Sequence, residues 1–302
     1  MATAALSGPV LPVRARLAKF FTKALLITCA AAALPLPLAA QEAGQRVAAL
    51  GGTVSEIVYA LGEEDRLIAR DTTSTYPPEV QALPDVGYVR ALSAEGVLSV
   101  NPDMILAEEN SGPQETLDVL AEAQIPFIVV PDGYDGPAIL RKIEVIAGAL
   151  GVEEKGEALA ARVEAELAAA VEGAGTEKPA RVLFILSMAG GRLTAAGTGT
   201  AADGIITLAG AQNVFGDFAG YKQVSDEAVL EAAPDVILMM ERGGDHGGTA
   251  DDVAAHPVLG QTPAAARGAI LRQPGLLLLG FGPRTPEAVT ALSAAIAELG
   301  AE

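Results

Sequence analysis

Residues 92–106 read LSAEGVLSVNPDMIL, and residues 224–238 read VSDEAVLEAAPDVIL. Aligned without a gap at an offset of 132, the two share Ser, Glu, Val, Leu, Pro, Asp, Ile and Leu in order. Just upstream, Gly87-Tyr88 recurs as Gly220-Tyr221. Self-similarity over such a distance means two units of common design. Each copy opens on a serine suited to cap a helix and closes on a Pro-Asp pair before an apolar run.

Working outward, short apolar runs alternate with helical patterns along the whole chain, the signature of parallel α/β structure. In the first half the expected strands are 46–50, 67–70, 103–107 and 127–130; in the second, 181–186, 193–196, 236–240 and 276–280. Between the halves lies VEEKGEALAARVEAELAAAV, in which Val152, Leu159, Val163, Leu167 and Val171 form one apolar face. That predicts a helix of roughly twenty residues, about 30 Å long, acting as a strut between two Rossmann-like lobes. Capping boxes are expected at Thr53-x-x-Glu56 and Thr200-x-x-Asp203. The expected boundaries are a leader at 1–40, a first lobe at 41–138, a helical segment at 139–174 and a second lobe at 175–302. Ligands of such sheets bind beyond the carboxyl ends of the strands, here between the lobes.

The first forty residues read as a secretory signal peptide. Arg14, Arg16, Lys19 and Lys23 precede the apolar run Ala24 to Leu34, and small residues follow Pro35 and Pro37, with cleavage expected after Ala40. A lipoprotein signal ending at Cys29 is the rival, weakened by Thr28 before the cysteine; the apolar run is too short to span a bilayer. Removing four basic residues and no acidic ones takes the formal charge from −18 to −22. So acidic a chain has no surface for nucleic-acid phosphates. Cys29 is the only cysteine, so the mature chain has neither disulfides nor thiol chemistry, and the expected compartment is the periplasm.

No catalytic set emerges. His246 and His256 are the only histidines and lack ligand spacing for a zinc site. The stretch GTGTAA, Gly197 to Ala202, fits a dinucleotide fingerprint with Asp217 downstream, but the corresponding loop of the first lobe, GGTVSE, does not keep it. A capped helix at the cleft edge is the better reading, and an enzyme is not expected. One loop stands out: DTTSTYPPEV, residues 71–80, holds Tyr76 between a strand end and two prolines. Pro77 restricts the residue before it, and Pro77-Pro78 suit the first turn of a helix through Glu79–Ala82. Taken by itself, Tyr76 is open to two readings, a phenol packed on its loop or a phenol facing the cleft.

RDTTSTYPPEVQALPDVGYVRALSAEGVLSVNPDMILAEEN resembles the haem-binding proteins of bacterial haem ABC importers, of the HmuT type, within the helical-backbone (class III) substrate-binding proteins. RVLFIL, AAGTGTAADGIITLAGAQNVF, VILMMERGG and LLLLGFGPRTPEAV extend the likeness over essentially the whole mature chain. The resemblance implies a monomeric periplasmic protein that captures haem between its lobes and delivers it to a permease with its ATPase. It implies that Tyr76 is the axial ligand of ferric haem, a hard phenolate suiting Fe(III). Arg242 is then expected to donate to the phenolate oxygen, and Arg90 and Arg284 to meet the propionates. Where some members carry a histidine after the strand resembling VLFIL, this chain reads SMAGG, leaving Met188 there and His246 as a further candidate sixth ligand; five-coordinate iron is expected. Glu95 and Glu227 suit first helical turns, and the resemblance implies that they dock on arginines of the permease. A ferric siderophore or cobalamin in the same fold is the alternative cargo, and an exported nucleotide-dependent enzyme the more distant one.

Overall fold

The computed structural model describes residues 45–241 and 248–300, so the expected leader, Arg242 and His246 lie outside the described residues. The first sheet comprises β1 (Val47–Leu50), β2 (Leu67–Arg70), β3 (Met104–Glu108) and β4 (Phe127–Val130), in the order β2-β1-β3-β4 and parallel throughout. Its helices are α1 (Gly52–Ala60), α2 (Ala94–Leu98), α3 (Gln114–Glu122) and α4 (Gly136–Leu150). β1 and β3 are covered on both faces, as parallel strands require. Val47, Ala49, Met104 and Leu106 face one apolar layer, while Ala48, Leu50, Ile105 and Ala107 face the other.

α5 (Glu153–Gly173) then leads to the second sheet. There β5 (Arg181–Ser187), β6 (Leu193–Ala196), β7 (Gln212–Asn213), β8 (Tyr221–Val224), β9 (Val236–Glu241) and β10 (Ile270–Pro274) run in the order β10-β9-β5-β6-β8, with β7 beside β5. β9 is parallel to β5 and β10, whereas β6 is antiparallel to both its neighbours. The helices here are α6 (Ala201–Leu208), α7 (Asp226–Ala232), α8 (Ala250–Ala255), α9 (Pro263–Ala266), α10 (Gly275–Leu279) and α11 (Thr285–Gly300). α5 packs on α4 of the first lobe and on α11 of the second. It buries Gly156, Leu159, Val163 and Leu167, while Val171 at the end of the expected stripe is exposed.

The repeat has a structural cause. Ser93 caps α2 and Ser225 caps α7, each accepting from the N–H three residues on, Gly96 at 3.0 Å and Ala228 at 3.2 Å. Asp103 accepts the N–H of Arg46 at 3.0 Å, and Asp235 accepts that of Arg181 at 2.9 Å, so each Pro-Asp hooks the start of the neighbouring strand. The same two arginines return a bond to the preceding turn, Arg46 to Val100 and Asn101, Arg181 to Ala232. Both turns bring a non-glycine residue into the left-handed region at the same repeat position, Asn101 at φ 50° and Ala233 at φ 39°.

Two expectations are corrected. The run at 276–280 is not a strand: Gly275–Leu279 is helical and the strand is Ile270–Pro274, paired with β9 from Ile270↔Ile237. Four consecutive leucines carry no period, so the run reads equally as strand or buried helix. Thr53 does not open α1 with a capping box either, because the helix begins at Gly52 with Gly51 as its cap. Its first N–H groups are satisfied from other elements. At Thr200 the cap is present, accepting Asp203 N–H at 3.1 Å. A full capping box stands instead at Thr249 and Asp252.

Candidate functional site

Tyr76 lies on the segment between β2 and the 3-10 turn Pro78–Ala82, and that segment is fastened by one carboxylate. Asp71 is fully buried and accepts from Gly51 N at 3.1 Å, Thr73 N at 3.0 Å and Val89 N at 3.2 Å. The hydroxyls of Thr73 and Ser74 also donate to it, at 2.8 Å and 3.0 Å. Thr73 Oγ1 in turn accepts Gly52 N–H at 2.9 Å, and Ser74 Oγ meets Ser55 Oγ at 2.7 Å. A buried carboxylate is tolerable only when so fully bonded. The run of hydroxyl residues therefore stitches the Tyr76 segment to the start of α1. Gly52 permits the approach, since a Cβ there would lie 2.6 Å from the Thr73 carbonyl oxygen and 2.7 Å from Leu276.

The third N–H of this cluster, that of Thr53, donates to Glu108 Oε1 at 3.3 Å. Burial pushes the Glu108 carboxyl up to about 7, the Asp71 charge adding to the rise and Lys142 opposing it. Lys142 is itself buried and donates to Gly133 O at 3.2 Å, Phe281 O at 3.4 Å and Gly280 O at 3.5 Å. Burial holds its ammonium below the usual lysine range.

These last bonds reach the second lobe, and others join them along one seam. Thr53 Oγ1 donates to Gly280 O at 2.7 Å. Arg284 donates from Nη2 to Glu56 Oε2 at 2.8 Å and from its main-chain nitrogen to Glu56 Oε1 at 3.2 Å. Tyr134 packs edge-on against Phe281, with centroids 5.4 Å apart.

Tyr76 is 40% exposed, and its phenol oxygen has no hydrogen-bond partner among the described residues. The guanidinium carbon of Arg284 lies 3.5 Å from the centroid of its ring. A cavity of about 300 Å³ adjoins the pair, lined by Glu56, Tyr59, Tyr76, Pro77, Arg162 and Arg284 among others. Arg90 is exposed at the end of the Gly87–Arg90 segment. Its positive charge acts on the hydroxyls of Tyr134 and Tyr221, one from each lobe. Both phenols are nonetheless held above the usual tyrosine range, burial being the largest cause for each. Tyr134 donates to Asp132 at 2.7 Å.

The structure thus brings Tyr76 and Arg284 together, while the charge of Arg90 acts on the phenols of Tyr134 and Tyr221. Arg284 is bonded to Glu56 and stacked on Tyr76 rather than standing free for a propionate. Met188 is half-buried, its methyl close against Gly248. His256 is a local cap, its Nδ1 accepting Val258 N–H at 3.2 Å and Leu259 N–H at 3.3 Å. The Gly197 turn is filled by Phe218, whose carbonyl oxygen would lie 2.2 Å from a Cβ at Gly197. Glu95 and Glu227 are exposed in the first turns of α2 and α7. Bonds from its own N–H and from Ser225 hold Glu227 below the usual carboxylate range. Glu56, Glu108 and Lys142 carry no local sequence signal of a site, and the spacing of Glu56 from Thr53 reads as a capping box.

The family model described as "Periplasmic binding protein" matches residues 47–275. The chain is similar in structure to the periplasmic heme-binding protein RhuT from Roseiflexus sp. RS-1, at TM-score 0.81 and 39% identity, covering 85% of this chain and 99% of that one. It is 30% identical to a vitamin B12-binding protein of Pectobacterium carotovorum subsp. carotovorum (strain PC1), over 76% of this chain and 78% of that protein. It is also 29% identical to an uncharacterized ABC transporter substrate-binding lipoprotein of Bacillus subtilis (strain 168), over 64% of this chain and 63% of that protein.

The raised Glu108 carboxyl has a consequence for stability. A group raised on folding favours the folded state most when protonated, below its unfolded pKa. That advantage is lost as pH rises through about 7. The thermal stability of wild type should therefore fall relative to that of Glu108→Gln between about pH 5 and about pH 8. Glutamine keeps an acceptor for Thr53 N–H without the buried charge. Parallel profiles for the two proteins would remove Glu108 from this role.

Proposed function

We propose that this protein, which belongs to the periplasmic binding protein family, captures haem between its two lobes and hands it to an ABC importer. The observation that carries the reading is Tyr76: a phenol on a segment pinned by Asp71, exposed, with its oxygen unpartnered among the described residues and a cation on its ring. A phenolate is a hard ligand suited to ferric haem. The likeness to RhuT, a heme-binding protein, supports haem as the cargo.

In this reading Tyr76 supplies the axial bond to iron, and the pinned segment spares the entropy of ordering that ligand on binding. Arg90 meets a propionate; in a chain whose acidic residues outnumber basic ones 38 to 20, local cations must hold that anion against the overall field. Arg242, outside the described residues, donates to the bound phenolate oxygen from the second lobe. Met188 packs on the porphyrin, and iron stays five-coordinate without His246. The protein makes and breaks no bond in its cargo. It is exported by the segment 1–40 and works as a monomer in the periplasm. The likeness to a vitamin B12-binding protein supports cobalamin as the second reading.

Titration of haemin into purified wild type should give a saturable Soret change with ferric phenolate character, lost in Tyr76→Phe and Tyr76→Ala. An unchanged titration in both variants would sink the ligand assignment, and saturation by cobalamin in place of haemin would transfer the reading to that cargo. Glu95 and Glu227 are the two prongs that meet arginines of the permease. Glu95→Arg with Glu227→Arg should abolish haem uptake through the reconstituted importer while leaving the Soret titration intact. Uptake at the wild-type rate would refute the docking role.

A further inference from the structure

α1 presents Thr53 and Glu56 on one face, one turn apart, and both engage the same stretch of the other lobe. Thr53 holds Gly280 and Glu56 holds Arg284. The Glu56 grip is double, taking the main-chain N–H and the guanidinium of one residue at 3.2 Å and 2.8 Å. Space around it is tight, since a Cβ at Gly282 would lie 3.1 Å from Glu56 Oε1. The Glu56 side chain is 6% exposed and that of Arg284 20%. Among the described residues Arg284 Nε is buried without a hydrogen-bond partner, and the guanidinium carbon lies 3.5 Å from the centroid of the Tyr76 ring.

Stability alone explains this pair poorly. Two charges taken out of water recover little more than their desolvation cost, and apolar residues of the same volume usually serve as well. What an apolar pair would not provide is a fixed orientation. A guanidinium gripped at one edge and at its own main chain cannot swing freely, so its face stays on the ring.

We propose that Glu56 is a positioning residue for the iron ligand: it holds Arg284 across the lobe boundary so that the guanidinium fixes the Tyr76 ring. The inference rests on the haem reading above. It assigns Arg284 to the tyrosine rather than to a propionate and leaves Arg90 for that task. A cation on the face of an aromatic ring is attracted by its π electrons, and more strongly when partly desolvated. It also restrains the ring before cargo arrives, so less order is lost on binding.

The test compares wild type with Glu56→Gln, Arg284→Lys and Arg284→Leu, with thermal unfolding recorded for each. In haem-loaded protein, Glu56→Gln should shift the phenolate-to-iron charge-transfer band and raise the haem dissociation rate roughly tenfold. Arg284→Leu should do the same more strongly, and Arg284→Lys, which keeps the charge without the planar stack, should fall between. In protein without haem, the Tyr76 ring signals in an NMR spectrum should move in Glu56→Gln in the same sense as in Arg284→Leu. Band, rate and ring signals unchanged in Glu56→Gln would overturn the inference. So would a rate increase matched by Leu292→Ala, a core variant away from the site, at equal loss of stability. Failure of wild type to bind haemin through Tyr76 would instead overturn the haem reading, while the ring signals would still decide whether Glu56 positions the tyrosine.

Discussion

The start of α1 is the point on which the cleft depends. Three successive N–H groups, those of Gly51, Gly52 and Thr53, are taken by Asp71, Thr73 and Glu108, from the end of β2, the segment after it and the end of β3. Unpaired N–H groups at a helix start are an obligation that must be met somewhere. Here they are met by side chains from three places at once, which ties helix, sheet and loop into one unit. Each lost bond of this kind would cost about 1–3 kcal/mol. Helix starts commonly take anions from solution or ligand, but this one is filled by the protein's own carboxylates. In the haem reading its value to the cargo is indirect, through the segment that carries Tyr76.

From the same helix the contact passes to the second lobe. Thr53 to Gly280, Glu56 to Arg284 and Lys142 to Gly280 and Phe281 form a polar seam, with Tyr134 on Phe281 as its apolar part. α5, packed on α4 and α11, spans the lobes separately. The seam concentrates buried charge where lobes meet. Burial raises Glu56 and Glu108 above the usual carboxylate range and lowers Lys142 below the lysine range. Such groups sit where two lobes must keep register, which a purely apolar contact does not specify.

Much of this was legible in the sequence. The internal repeat marked two similar units because its serines, prolines and aspartates each do a local job twice: Ser93 and Ser225 cap, Asp103 and Asp235 hook the neighbouring strand. The stripe of Leu159, Val163 and Leu167 gave the connecting helix, and the prolines after Tyr76 marked a segment under constraint, while the bonds of its hydroxyl run to Asp71 show only in the structure. Other features could not be read. Glu56 and Arg284 are 228 positions apart, and no local pattern says that a glutamate spaced like a cap residue serves the other lobe. The four leucines of α10 have no periodicity to separate strand from helix, and the strand Ile270–Pro274 before them carries Arg272 and Gln273 in its middle. Glu108 lies one residue past the expected strand 103–107, and burial at a strand end is set by what packs over it, which no local pattern shows.

In the haem reading, the segment pinned by Asp71 presents Tyr76 to haem iron without rearranging. The most direct measurement is a crystal structure of the protein with haemin bound. Iron should be bonded to Tyr76 Oη, with Thr73 and Ser74 keeping their bonds to Asp71 and to α1. Iron ligated by another residue, or haem bound away from Tyr76, would contradict it.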